Sequence, residues 1–341
     1  MSRIAIVGDG SWGTALALAL NRRGDHSIVL WAHSALVAQT IERQRENLAY
    51  LPGYRVGEEI TITAELGMAV TDAAIVISAL PSQHVREVYR ALAPCLNPSQ
   101  VLVSATKGIE DGSYLRMSEV IAEEVLAADD GRFAPAGLPL GVLSGPSFAQ
   151  EVAAGSPTAI TIACARNNIA SRLREEFNAP GLRVYTNDDV VGVELGGALK
   201  NVIAIATGIA TGLGLGHNSV AAIITRGIAE ITRLAVACGG HRETLAGLSG
   251  LGDLVLTCTG PLSRNRSVGI ELGRGRKLPE ILIGLEGRVA EGVSTTGAAL
   301  GLAKTRGVEM PITEQMSEIL DHGRSPQDAI RELMARPGRD E

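Results

Sequence analysis

IAIVGDGSWGTALALALNRRG, residues 4–24, runs from an apolar, partly β-branched stretch through three glycines into a run with helical spacing. Gly8, Gly10 and Gly13 fit G-x-G-x-x-G, a spacing that also arises by chance, so its surroundings must decide its meaning. Here the glycines follow a strand candidate, Arg3–Val7, and open a helix candidate, Ser11–Arg23, that closes at Gly24. A second strand candidate, Ser27–Trp31, completes a unit of about 30 residues. In that setting Gly8 allows the tight turn, Gly10 lets backbone approach a pyrophosphate, and Gly13 lets helix and strand pack closely. The anion would sit on the helix N-terminus, where unpaired N–H groups and the dipole favour negative charge. The stretch reads as a dinucleotide site.

The pattern continues outward from it. Further strand candidates are Ile60–Thr63, Ile75–Ala79, Val101–Ser104, Leu140–Leu143, Thr158–Ala163 and Leu182–Thr186. The runs at 75–79 and 101–104 are apolar throughout, as strands covered on both faces should be. Helical segments fall between most of them, such as Gln83–Ala93 and Met117–Leu126. The alternation predicts an α/β fold, with an N-terminal, doubly wound, Rossmann-like parallel sheet. After residue 187 the strands stop, and DDVVGVELGGALKNVIAIATGIA, NSVAAIITRGIAEITRLAVACGG and the tail beyond Pro311 have helical spacing. Asp188 is the expected N-cap of the first of these, and Gly239 ends the second. The chain therefore reads as a dinucleotide-binding domain, 1–187, and an all-helical substrate and catalytic domain, 188–335.

Three segments leave strands at the edge where ligands collect in open parallel sheets: ALPSQ, SATKGIEDG and LSGPSFAQE. An acid that would hold the ribose hydroxyls of NAD is missing after the second strand, where Ala32, His33 and Ser34 follow Trp31. His33 and Ser34 could tolerate a 2′-phosphate, which favours NADP(H) or dual use. Of 31 basic residues only four are lysines: Lys107, Lys200, Lys277 and Lys304. Lys107 lies at a strand's ligand edge, and Lys200 lies in a helical run beside Gly196, Gly197 and Ala198. Burial among small residues lowers a lysine's pKa towards neutrality, a shift that Glu194 or Asp253 could oppose. Downstream, a glycine-rich turn carries Asp253. Ser263, Arg264 and Asn265 then supply a hydroxyl, a planar fork of donors and an amide, a set suited to phosphate.

Composition excludes other classes. Net charge is −6, with no basic footprint for nucleic acid. The four cysteines are scattered, as free thiols of a reducing cytosol would be, and no His, Cys or carboxylate spacing suggests a metal. The uncharged stretch 202–225 is interrupted by TGLGLGHNS, which predicts two buried helices around a loop rather than an integral membrane segment.

The segments GDGSWGTALA, ATKGIE, LSGPSFAQEVAAGSPTA, GGALKNVIAIATGI, GLGDLVLTC, SRNRSVG, EGVSTT and GVEMPITE occur in the order found in one family. The chain resembles bacterial-type NAD(P)-dependent glycerol-3-phosphate dehydrogenase over nearly its whole length. The resemblance implies a cytoplasmic homodimer interconverting dihydroxyacetone phosphate and sn-glycerol 3-phosphate for glycerophospholipid synthesis. It places Ser11, Trp12, His33, Tyr50, Lys107, Ala149, Arg264, Val289 and Glu291 on cofactor positions, beside the three loop glycines. It places Lys107, Gly145, Ser147, Lys200, Asp253, Ser263, Arg264 and Asn265 on substrate positions, with Lys200 as proton acceptor. Asp9 departs from the commoner alanine and puts a carboxylate near the pyrophosphate, so either it points outward or cofactor affinity suffers somewhat. Two rivals share the pattern. A reductase acting on a carboxylate substrate would be insensitive to glycerol 3-phosphate, and a non-catalytic dinucleotide sensor would not need Lys200.

Overall fold

Each apolar run becomes a strand whose alternate side chains enter opposite cores. In the computed structural model, which describes residues 2–129, 131–133, 137–285 and 288–336, the strands are β1 (Ser2–Val7), β2 (His26–Trp31), β3 (Glu46–Asn47), β4 (Leu51–Arg55), β5 (Thr61–Thr63), β6 (Ile75–Ser78), β7 (Val101–Ser104), β8 (Leu140–Ser144), β9 (Thr158–Ala163) and β10 (Leu182–Asn187). Eight of them form one sheet in the order β10-β9-β8-β7-β6-β1-β2-β5, while β3 and β4 form a separate antiparallel ribbon. The first helices are α1 (Ser11–Asn21), α2 (Ala35–Gln44), α3 (Leu66–Val70), α4 (Val85–Leu92), α5 (Met117–Ala127), α6 (Ala149–Ala154) and α7 (Asn167–Phe177). Ile4 and Ile6 pack with Leu16 and Leu20 of α1 on one face of the sheet. Ala5 and Val7 pack with Val85 and Tyr89 of α4 on the other. This period of two, buried on both sides, is what the doubly wound arrangement requires.

The sheet is not wholly parallel, because β8 and β9 pair antiparallel. Their connection holds only the six-residue helix α6, about 9 Å long, too short to return along a strand of about 17 Å. The 11-residue α7 is long enough, and β10 lies parallel to β9. The strand expected from Ile60 begins at Thr61, since the Ile60 amide turns back to the carbonyl of Gly57.

The chain divides into two units, Met1–Lys107 with Leu115–Glu194, and Gly108–Tyr114 with Leu195–Glu341. The second is built from most of α8 (Val190–Gly212) and from α9 (His217–Ala237), α10 (Arg242–Leu245), α11 (Asp253–Thr259), α12 (Arg264–Gly273), α13 (Leu278–Ile283), α14 (Glu291–Thr305), α15 (Pro311–His322) and α16 (Pro326–Ala335). Asp189, rather than the expected Asp188, caps α8: its Oδ1 accepts from the Gly192 amide at 2.8 Å. The uncharged stretch is two helices around a loop, but only its α8 part is buried; residues 217–225 of α9 are exposed or half-buried. Of the described helices, α8 is long and apolar enough to cross a membrane, but 89% of its apolar window is buried inside the protein.

Within the second unit α8 and α12 touch backbone to backbone. A Cβ on Gly208 would lie 2.2 Å from the Arg266 carbonyl oxygen, and one on Gly269 would lie 2.1 Å from that of Ile205. Only glycine permits that approach. It fixes Ser263–Asn265, at the start of α12, beside the turn of α8 that carries Lys200 and Asn201.

Candidate functional site

In the first unit the loops at the C-terminal ends of adjacent strands are joined. β1 is flanked by β2 and β6, so the chain reverses its direction of winding there, the position where such sheets bind ligands. Gly8 has φ +128°, and a Cβ on it would stand 2.5 Å from the Ala79 carbonyl oxygen. The Thr106 hydroxyl donates to the Leu80 carbonyl at 2.9 Å. Lys107 Nζ donates to the Gly145 carbonyl at 3.1 Å, and the Ser147 hydroxyl donates to the same oxygen at 2.9 Å. ALPSQ, SATK and LSGPSFAQE thus form one rim of the first unit, with Lys107, Gly145 and Ser147 together.

The rim fits a dinucleotide. Gly10 is the N-cap of α1 and offers no side-chain cap to the free amides. A Cβ at Gly10 would meet nothing within 4 Å, whereas one at Gly13 would stand 1.9 Å from the Gly8 carbonyl. Gly13 is therefore needed by the fold, and Gly10 leaves room for a ligand. Trp12 Nε1 is buried with no hydrogen-bond partner, a donor lacking an acceptor. Ala149 and Trp12 pack against the same core. Tyr50 is tied in through its amide, which donates to Asn47 Oδ1 at 3.2 Å. Asn47 Nδ2 in turn donates to the Asp9 carbonyl at 2.7 Å and to Thr14 Oγ1 at 2.8 Å, pinning the glycine loop. Asn47 was not legible in the sequence, because it acts across 38 residues. Asp9 does not point outward: its side chain is buried against His33.

In the second unit Lys200 is 5% and Asp253 1% exposed. Lys200 Nζ donates to Asp253 Oδ1 and, at 2.9 Å, to Thr257 Oγ1. The Thr257 hydroxyl proton goes to the Asp253 main-chain carbonyl at 2.6 Å, leaving its lone pairs for the ammonium. A π turn at Leu248–Gly252 precedes Asp253 and aims it. Asp253 therefore acts on Lys200 directly. Glu194 does not: in the first unit it accepts from the Ser118 amide at 2.8 Å, the Ser118 hydroxyl at 2.5 Å and Arg116 Nη1 at 2.5 Å. Burial pushes its carboxyl up, against the pull of Arg116 and Ser118. Burial also pushes the Cys258 thiol, on α11, up to about 12, so it stays neutral beside the lysine.

Ser263 caps α12, accepting from the Arg266 amide at 3.2 Å, and Arg264 is the first helical residue. Burial lowers the Arg264 pKa, Glu291 opposes the shift and Arg288 adds to it, yet the side chain keeps accessible surface. Arg264 is an exposed residue, so its guanidinium is open to a ligand. Glu291 opens α14, two residues after the half-buried Val289. Asn265 is largely occupied within the fold: Nδ2 donates to Asn201 Oδ1 at 3.0 Å, and Oδ1 accepts from the Gly292 amide at 2.9 Å. Asn201 and Thr257 are the neighbours that sequence reading missed. Asn201 directly follows Lys200, and Thr257 lies one helical turn after Asp253, the one local signal available.

Family models for the NAD-dependent glycerol-3-phosphate dehydrogenase N-terminus and C-terminus match residues 3–170 and 189–331. The chain belongs to the NAD-dependent glycerol-3-phosphate dehydrogenase family. It is 60% identical over 344 residues to glycerol-3-phosphate dehydrogenase (NAD(P)+) of Acidobacterium capsulatum, covering 100% of both chains. It is 59% identical to that of Koribacter versatilis, covering 99% of this chain and 98% of the relative. The crystal structure of glycerol-3-phosphate dehydrogenase from Coxiella burnetii superposes with a TM-score of 0.91 at 40% identity, covering 98% of this chain and 99% of that one. A Rossmann-like sheet followed by a helical unit is therefore the architecture of this dehydrogenase family.

Proposed function

We propose that the protein interconverts dihydroxyacetone phosphate and sn-glycerol 3-phosphate with NADP(H) or NAD(H). The observation that carries this reading is a buried lysine, oriented by Asp253 and Thr257, in a chain matched by both halves of the dehydrogenase family model. Residues 1–187 serve the dinucleotide and 188–335 the substrate and the proton.

A bound nicotinamide supplies or takes the hydride. Gly8, Gly10 and Gly13 shape the loop that receives the pyrophosphate, and Ser11, Trp12, His33, Tyr50, Lys107 and Ala149 line its cofactor positions. Arg264, Val289 and Glu291 complete that set. As the carbonyl oxygen gains negative charge, Lys200 donates a proton to it, and in oxidation Lys200 takes the hydroxyl proton back. Asp253 favours the ammonium and fixes its direction, and Thr257 accepts a second N–H. Ser263 and Arg264 sit at the first turn of α12, where the helix dipole and the guanidinium both favour a phosphate dianion. Asn265 holds that turn against Asn201 and Gly292. Lys107, Gly145 and Ser147 contribute polar groups from the sheet edge. A homodimer in the cytoplasm, supplying glycerol 3-phosphate to phospholipid synthesis, is the setting this activity fits.

The test is a steady-state assay of the purified chain with dihydroxyacetone phosphate and each reduced cofactor. Turnover of a 2-keto acid in its place, unaffected by added glycerol 3-phosphate, would sink the reading.

A further inference from the structure

Dinucleotide sites that accept NAD hold the ribose with an acid at the end of the second strand, and this chain has none there. The structure brings a carboxylate to that place from another loop. Asp9, between the first two glycines, is 5% exposed, and its side chain reaches the end of β2. Oδ2 lies 3.0 Å and Oδ1 3.1 Å from His33 Nδ1, with Oδ1 also 3.5 Å from the His33 amide. Among the described residues these are the only hydrogen bonds of that carboxylate, and Asp9 is the only ion-pair partner of His33. Neither α1 nor α2 has an acidic residue in its first turn. Asn47 and Thr14 reach Asp9 only through its main-chain carbonyl. The His33 side chain, in contrast, is 52% exposed.

We infer that Asp9 and His33 together read the 2′ position of the adenosine ribose, the acid serving NAD(H) and the imidazole serving NADP(H). The inference rests on the loop being a dinucleotide site. A carboxylate can only accept, so it takes a ribose hydroxyl and repels a phosphate; an imidazole donates to a phosphate, most strongly when protonated. The half-exposed ring sits on a loop between β2 and the first turn of α2, where it can turn towards a ligand without disturbing a core. With an acceptor and an imidazole paired at one spot, neither cofactor is refused. The acid that selects for NAD is thus supplied from the glycine loop, and an imidazole stands where the 2′-phosphate needs a donor.

The two residues should fail in opposite directions. Dissociation constants of NADH and NADPH would be measured by fluorescence titration for the full chain and for Asp9→Ala, Asp9→Asn and His33→Ala. Titrations with ADP-ribose and its 2′-phosphate isolate the ribose end. Asp9→Ala is expected to weaken NADH about tenfold while NADPH binds as well or better. Asp9→Asn, which keeps an acceptor, moves the ratio the same way by less. His33→Ala weakens NADPH about tenfold and leaves NADH within about twofold. Parallel loss of both cofactors in Asp9→Ala means that Asp9 only shapes the loop, and overturns the inference. Failure of the unaltered chain to bind either cofactor overturns the dinucleotide reading, and the inference with it.

Discussion

Replacing Lys200 by methionine removes two things at once, a proton donor and the counter-charge of a buried carboxylate. The first loss belongs to catalysis. Without a general acid at the nascent alkoxide, kcat should fall roughly 10²–10⁴-fold, about 3–5 kcal/mol at 1.36 kcal/mol per decade. The second belongs to stability. Asp253 is 1% exposed and paired with an ammonium that is itself 5% exposed, and stripping one partner from such a pair costs about 3–5 kcal/mol. A dead enzyme could therefore simply be an unfolded one. The double variant Lys200→Met with Asp253→Asn separates the two, because it also removes the stranded charge. It should recover most of the lost Tm and none of the lost kcat. Cofactor affinity, read by NADPH titration, should be near that of the unaltered chain in both, since Lys200 is not on the glycine loop. Lys200→Arg should keep the ion pair yet rescue turnover poorly, as a guanidinium does not release its proton near neutral pH. If Lys200→Arg retains most of the activity, Lys200 is an electrostatic anchor and the proton comes from elsewhere.

Other perturbations separate fold from ligand. Arg264→Ala should raise KM for cofactor and phosphate substrate together, each by about ten- to a hundredfold, the loss of a charge-assisted hydrogen bond worth about 1.5–3 kcal/mol; unchanged KM for both removes it from the site. Gly13→Ala puts a Cβ 1.9 Å from the Gly8 carbonyl and should lower Tm by several degrees, whereas a Cβ at Gly10 meets no protein atom within 4 Å. Gly10→Ala should thus keep its Tm and lose NADPH affinity, and equal melting losses in both variants would refute the distinction. Arg23 holds the Asp25 carboxyl down at about 2 from 3.8. Because the folded value is the lower one, its stabilisation is present above about pH 4 and lost as pH falls towards 2. Asp25→Asn should therefore cost Tm at about pH 5, less in high salt, and progressively less on acidification; a constant difference across that range refutes the assignment.

What the sequence disclosed has a physical pattern. The glycine loop was legible because its meaning lies in backbone: a strand, a turn needing positive φ at Gly8 and a helix start lie within a few residues. β6 and β7 were legible because burial on both faces writes itself as unbroken apolar runs, whereas the short β3–β4 ribbon carries no such run and was not read. Lys107 and Lys200 stood out because the chain otherwise uses arginine. The antiparallel β9 did not show, since the signal is the length of the α6 connection rather than any residue in the strand. Asp189 displaced Asp188 as the cap of α8 by a single position, a difference set by side-chain geometry.

Side-chain pairs across long sequence distances were the hidden part. Asn47 under the loop and Asn265 on Asn201 join residues 38 and 64 positions apart, whereas Asp253 under Lys200 was expected as one of two alternatives, with Glu194. Local pattern holds no trace of such contacts, because either partner alone has an ordinary surface explanation. Asp9 shows how far this reaches. Read by position, it is an anomaly beside a pyrophosphate; read by contact, it is the partner of His33, two residues past the end of β2. The missing acid and the misplaced acid are then one feature, and neither half of the sequence motif could reveal it without the other.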